Sequence, residues 1–323
     1  MEYEGWYQVA FERDLTSDLT PTSVGTRPLV LARTPGGVRA FDGICPHRGA
    51  HLAYGGCLED GAIVCPFHGY RIGLGKRSRH GFSVREYRTL AVGGSIFVLT
   101  SESHENGLTE LMTELGRTHC IVPGFAVQAH TAPEIVIENG FDNAHFKSVH
   151  GVLNQPDFTI QRSQHGEFHV EGSLEFQLPP WQRRGERQGV VLVPFTAKAF
   201  SPCLAVTHLS GDSPYWVITG ATPLTNGSCV VLLSFAIPRS ADDGDPPSEF
   251  CHQLMRYSKA GLEQDCLIWN HMSLTSPSRF TVQDEAVLGF RKFCERFRLQ
   301  ASTDLSVAAI GSCDGRATSN LDR

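Results

Sequence analysis

The chain has no basic excess. Its 28 Lys and Arg are outnumbered by 34 Asp and Glu, for a net charge of −6. That argues against a DNA- or RNA-binding role, which needs a cationic face. Long hydrophobic runs are missing as well: stretches such as Val230–Ile237 fall far short of a bilayer span. The N-terminal MEYEGWYQVAFERDL carries charges and aromatics where a secretory signal has an apolar core. A soluble, cytoplasmic protein is expected. The ten cysteines follow no disulfide-scaffold rhythm, which suits a reducing compartment. Cys57, Cys120, Cys203, Cys229, Cys251, Cys266, Cys294 and Cys313 read as thiols. No G-x-G-x-x-G follows a strand, and there is no second cysteine cluster, internal repeat or low-complexity tract.

What is present starts with length. A chain of 323 residues exceeds one comfortable hydrophobic core, so two domains are expected. A composition of 41% hydrophobic and 19% charged residues marks an ordinary globular protein. Residues 1–103 read as short strands between turns, among them Arg27–Thr34, Val38–Phe41, Ile63–Cys65 and Ser95–Thr100. Ser101–Arg117 is polar, with a short amphipathic piece at Leu108–Leu115, and reads as a linker. Glu134–His150 reads as a helix weakened by Gly140. Strands follow at Glu167–Phe176, Gly189–Ala199, Ala205–Leu209, Tyr215–Gly220 and Ser228–Ile237. Asp242–Pro247 reads as a loop and Ser248 as an N-cap, ahead of a long helix over Glu249–Met272. A last helix covers Val282–Phe297, and the tail 301–323 reads as flexible.

The chemistry starts in Cys45–His68. Cys45-Pro46-His47 and Cys65-Pro66-Phe67-His68 are separated by seventeen residues. Two thiolates and two imidazoles in this arrangement suit a [2Fe-2S] centre with two Cys on one iron and two His on the other. Zinc also accepts two Cys and two His, but it usually pairs like with like. Here each short pair mixes the two, so each loop can give one ligand to each iron. The neighbouring Pro and Gly let backbone amides approach the sulfurs. His51 and His80 lie nearby and read as surface or packing histidines.

A second constellation is Asn139-Gly140-Phe141-Asp142-Asn143-Ala144-His145, with His150 five residues on. On an ideal helix those histidines point about 140° apart. Chelation of one metal would need a bulge, a bend or the helix end between them, and His150-Gly151 offers an end. A hydrogen-bonded core histidine at 145 and a capping histidine at 150 would read equally well from these residues alone. Downstream carboxylates are Glu263, Asp265, Asp284 and Glu285. Asp265 sits among Leu262, Cys266, Ile268 and Trp269, where an unpaired carboxylate would be costly.

Together these stretches resemble the Rieske non-haem iron oxygenases, terminal components of multicomponent systems. The Cys45–His68 stretch resembles their cluster signature. Respiratory Rieske proteins carry two further cysteines where this chain has Ala50 and Phe67. The resemblance implies an all-β cluster domain over 1–103. It also implies an α+β catalytic domain over 104–300, of helix-grip (START-like) form with an antiparallel sheet and a long C-terminal helix. Cys45, His47, Cys65 and His68 would hold the cluster, and His145 and His150 a mononuclear Fe(II). Asp142 matches the carboxylate that links this iron to a cluster histidine of a neighbouring subunit. Asn139 matches a polar residue near the iron. Glu263-Gln264-Asp265-Cys266-Leu267-Ile268-Trp269 resembles the ketosteroid 9α-hydroxylase branch, which makes Asp265 the third ligand.

The implied reaction uses O2 to hydroxylate a bulky hydrophobic molecule, steroid-like or polycyclic, within a homotrimer. Electrons would come from NAD(P)H through a separate reductase, with or without a ferredoxin. The basic run Lys76–His80 is a candidate docking site for that donor. Oxidative O- or N-demethylation, or a non-catalytic ligand-binding or redox-sensing protein with a cluster alone, are the alternatives. Pocket residues are expected between Gly151 and Tyr215.

Overall fold

The structure is a computed structural model of the chain and describes residues 3–75, 81–177, 189–239, 248–273 and 275–299. The basic run 76–80 with His80, the loop 242–247, the Ser248 side chain, Cys313 and the tail 301–323 lie outside the described residues.

The first four strands are β1 (Trp6–Phe11), β2 (Leu19–Val24), β3 (Arg27–Thr34) and β4 (Gly37–Asp42). A smaller sheet follows in sequence: β5 (Cys57–Glu59), β6 (Ala62–Val64), β7 (Arg71–Leu74) and β8 (Phe82–Val84). Strands β9 (Glu86–Val92) and β10 (Ser95–Leu99) then complete a six-stranded sheet of order β1-β10-β9-β4-β3-β2. In β3 the two-residue period divides side chains between two cores. Leu29 and Leu31 join the large core of the molecule, while Val30 and Ala32 pack with Phe41, Leu52, Ile63 and Ile72 under the small sheet. The six-stranded sheet is thus covered on both faces, with the cluster loops on one side only.

Next come α1 (Leu108–Thr118), β11 (His119–Ala129), α2 (Pro133–Glu138) and α3 (Asn143–His150). The region expected as a linker is therefore not free. α1 buries Leu108, Met112 and Leu115 against Trp6, Phe97, Phe200 and Leu204. β11 differs from the sequence reading, which left this stretch without a strand. Its Pro123-Gly124 breaks the apparent pattern, yet the register shifts there in a bulge and β11 is a sheet edge, where Pro is tolerated.

Strands β12 (Thr159–Ile160), β13 (Phe168–Gln177), β14 (Val190–Ser201), β15 (Leu204–Leu209), β16 (Tyr215–Pro223) and β17 (Cys229–Pro238) form, with β11, a seven-stranded antiparallel sheet. Its order, β11-β17-β16-β15-β14-β13-β12, is a meander apart from the first strand. Helices α4 (Ser248–Trp269) and α5 (Glu285–Glu295) end the described chain. The architecture is the expected α+β one: an all-β part with the cluster loops, then an antiparallel sheet with long C-terminal helices.

The two larger sheets meet closely. Gln8 Nε2 donates to Ser234 Oγ at 3.1 Å, Ser95 and Ser234 hydroxyls lie 2.9 Å apart, and Thr222 Oγ1 donates to Gln8 O at 2.7 Å. A Cβ at Gly220 would stand 2.5 Å from Gln8 Cβ, so only glycine permits this approach.

Candidate metal centres and cavity

The two cysteine loops share one backbone plan. In the first, Cys45 N donates to Ala50 O and Gly49 N to Cys45 O; in the second, Cys65 N donates to Tyr70 O and Gly69 N to Cys65 O. Gly49 and Gly69 take φ of 76° and 70°, the left-handed turn each loop requires. The loops present Cys45 and Cys65 buried, and His47 and His68 with ring centroids 4.7 Å apart. Burial raises the Cys45 thiol pKa and the adjacent Cys65 sulfur raises it further, against N–H groups donated by His47 and Arg48. His47 Nδ1 is buried with no hydrogen-bond partner. Paired thiols in a dry site and an orphaned imidazole nitrogen fit a metal cluster, which would take both thiolates and both rings. His51 is a packing histidine, as expected. Its ring lies under Gly43 and beside Tyr54, and its Nδ1 accepts from Ala53 N.

The second site is built on α3 and α4. The helix expected over Glu134–His150 is interrupted. α2 ends in a 3-10 turn at Asn139–Phe141, and Asp142 at φ −88°, ψ 100° restarts the chain as the N-cap of α3. Asp142 Oδ1 accepts from Ala144 N at 3.0 Å and His145 N at 3.3 Å. No break falls between the histidines; α3 runs through both and ends on Gly151 at φ 67°. Their rings still converge, with centroids 5.0 Å apart, because His150 occupies the last turn and both side chains reach toward α4.

The ligand atoms of His145, His150 and Asp265 all lie within 4.8 Å of one another. Each histidine has its Nδ1 engaged, His145 with Asp142 O at 2.6 Å and His150 with Gln264 Oε1 at 3.3 Å. With Nδ1–H donating, Nε2 is left as the free lone pair, the tautomer a metal ligand needs. His150 Nε2 stands 3.4 Å from Asp265 Oδ1. Burial lowers the His145 pKa. Burial also opposes charge on His150, but Asp265 outweighs it and the His150 pKa is raised. Asp265 is 9% exposed, and its Oδ1 is buried without a hydrogen-bond partner. A carboxylate left so is costly unless a cation sits against it, and two neutral imidazoles beside it complete a facial metal site.

This site opens into a cavity of about 740 Å³ whose wall also includes Asn139. Most of its lining is apolar, from Val152, Leu174, Phe176, Phe195 and Leu209 within the expected stretch. The sequence reading missed the contributions of Val217 and Leu233 and of the whole inner face of α4. Strand alternation could have found the first two, had the register been known. Gln264 was also passed over as a site residue, although it lies beside Asp265.

Two Cys-His loops with buried thiols, and a two-His, one-carboxylate site on helices beside an antiparallel sheet, define the class of Rieske-type oxygenases. Comparison with known proteins agrees. Residues 5–82 match the Rieske [2Fe-2S] domain, and residues 106–297 match the 3-ketosteroid 9alpha-hydroxylase C-terminal domain. The chain belongs to the 3-ketosteroid 9alpha-hydroxylase family of Rieske oxygenases, oxidoreductases that use O2, a [2Fe-2S] cluster and mononuclear non-haem iron. It is 25% identical to a cholesterol 7-desaturase of Bombyx mori, over 91% of this chain and 69% of the relative. It is 23% identical to the oxygenase component of 3-ketosteroid-9-alpha-monooxygenase from Rhodococcus rhodochrous, over 91% of this chain and 79% of that one. A dicamba monooxygenase bound to dicamba shares the fold with a TM-score of 0.66 at 16% identity, covering 91% and 96% of the two chains.

Proposed function

We propose that this chain is a terminal monooxygenase that hydroxylates a bulky, largely apolar molecule of sterol size. The observation that carries this is the apolar cavity of about 740 Å³ with His145, His150 and Asp265 in its wall. Cys45, His47, Cys65 and His68 hold the cluster; His145, His150 and Asp265 hold the iron. Bound there, the cluster supplies single electrons and the iron activates O2. One oxygen atom enters a C–H bond of the substrate and the other leaves as water. The chain's own part is geometric. Asp142 O and Gln264 Oε1 fix the two imidazoles, the apolar lining excludes water from the reacting carbon, and Asn139 adds an amide to the cavity wall.

Electrons enter from a separate reductase, directly or through a ferredoxin, since the oxygenase-component relative is named as one part of a system. We assign the transfer to neighbouring subunits of a homotrimer, from His68 to Asp142 of the next. Phe67 and Tyr70 stand exposed beside His68, and Leu267 and Ile268 stand exposed on α4 with Met272 just beyond it, two apolar surfaces suited to each other. No helix among the described residues is long and apolar enough to cross a membrane. Buried thiols such as Cys203, Cys229 and Cys294 suit the reducing cytoplasm, where we place the protein.

The test is turnover of the iron-loaded protein with a reductase, NADH and isotopically labelled O2, offered cholesterol and a 3-ketosteroid. Label should enter a sterol-sized product, and His145→Ala should abolish it while the cluster spectrum persists. O2 uptake that never labels such a molecule would refute the substrate class, and unchanged product from His145→Ala would refute the ligand assignment.

A further inference from the structure

The cavity is long in one direction. Phe250, Leu254, Tyr257, Gly261 and Asp265 border it from a single face of α4. From Phe250 to Asp265 is fifteen residues of helix, roughly 22 Å at the α-helical rise. Asp265 and the two histidines lie toward one end, with Trp269 one turn of α4 beyond them. At the other end stands Tyr215, its ring centroid 6.4 Å from that of Phe250.

Tyr215, Val217 and Thr219 border the cavity at every second position of β16, so Tyr215 is the position farthest along this face from the α4 C-terminus. Its cross-strand partner is Leu209, itself in the cavity wall, and Phe250 and Leu254 line the same end from α4. The phenol is thus a polar group in a largely apolar end wall, where Gln253 of α4 gives its own amide N–H to Glu249 Oε1. Its hydroxyl meets no hydrogen-bond partner among the described residues. Burial alone displaces its pKa, upward, so it remains a neutral donor at any working pH. Other enclosed tyrosines in this chain have spent their hydroxyls on the fold: Tyr7 donates to Tyr3 O and Tyr87 to Asp42 Oδ1. A tyrosine that borders a ligand cavity with its hydroxyl unengaged by the fold is suited to recognition.

We propose that Tyr215 determines specificity by donating a hydrogen bond to a single oxygen, hydroxyl or carbonyl, at one end of an elongated and otherwise apolar substrate. The opposite end of that molecule then lies at His145, His150 and Asp265. The cavity works as a ruler: the oxygen seated at Tyr215 sets which distant carbon reaches the metal end. This rests on the sterol-sized substrate reading above. A site built to bond a hydroxyl or carbonyl discriminates against the molecule lacking it, because its own donor is otherwise left unpaired.

The experiment is equilibrium binding of two probes to the iron-loaded protein and to Tyr215→Phe, followed by tryptophan fluorescence. The probes are cholesterol and its analogue lacking the hydroxyl group. The native protein should prefer cholesterol by about five- to tenfold, the worth of one neutral hydrogen bond in a dry site. Tyr215→Phe removes only the phenolic oxygen and should bind both probes alike. Binding of both probes with the preference intact in Tyr215→Phe, or no preference in the native protein, overturns the Tyr215 assignment and leaves the sterol-sized reading standing. Binding of neither probe overturns both.

Discussion

Gln264 and Asp265 are adjacent on α4 yet meet His150 from two sides, one at Nδ1 and one at Nε2. Replacing Gln264 by Leu removes the acceptor that fixes the His150 tautomer, and metal affinity should fall about 10–100-fold. Iron retention against a chelator measures this, with the cluster absorbance as internal control. Asp142 has a double task. Its Oδ1 caps α3, and we assign its carboxylate to transfer between subunits. Asp142→Asn keeps an N-cap acceptor. It should leave the melting temperature nearly unchanged while slowing reoxidation of the reduced cluster in single-turnover kinetics; reoxidation at the native rate would remove Asp142 from the path. The convergence of Cys45 with His47, and of Cys65 with His68, was legible in the sequence because each pair needs only its own loop. Asp265 was legible through the stretch around it and the cost of a carboxylate among apolar neighbours. Gln264 was not: its role depends on His150, a partner 114 positions away.

Elements were legible where periodicity was clean and hidden where one residue broke it. β3 and β10 stand where expected, whereas Pro123-Gly124 concealed β11 by sitting in its bulge. Asp142 was read inside a helix because the residues on both sides favour helix. Its own preference for an N-cap won instead, and that restart aims the end of α3 at α4. α1 was taken for a linker because its apolar residues are few, yet each of Leu108, Met112 and Leu115 is buried. Met112→Ala should therefore cost about 2–5 kcal/mol by cavity formation, seen as a lower denaturation midpoint. A shift within error would return this stretch to the role of a linker. Five of the seven strands of the second sheet, β13 to β17, were found, but their inner faces could not be phased without the register, which is why the cavity wall emerged only from the structure.

At the scale of the whole molecule, the cluster loops pack on one face of the six-stranded sheet, and the core that includes α4 packs on the other. We assign the exposed apolar residues at the cluster tip and on α4 to complementary halves of a trimer interface. Leu267, 68% exposed, is a direct probe. Leu267→Glu should shift the protein from trimer to monomer by light scattering and suppress turnover while the cluster signal is retained. A monomeric native protein with full activity would contradict the transfer between subunits. The central claim is that this chain carries two separate iron sites, and iron counting with EPR tests it most directly. The native protein should hold about three irons per chain, with a reduced-state cluster signal of low average g. Asp265→Ala should hold about two with that signal unchanged. A native protein with only the cluster's iron, or an Asp265→Ala protein with undiminished iron, would contradict it.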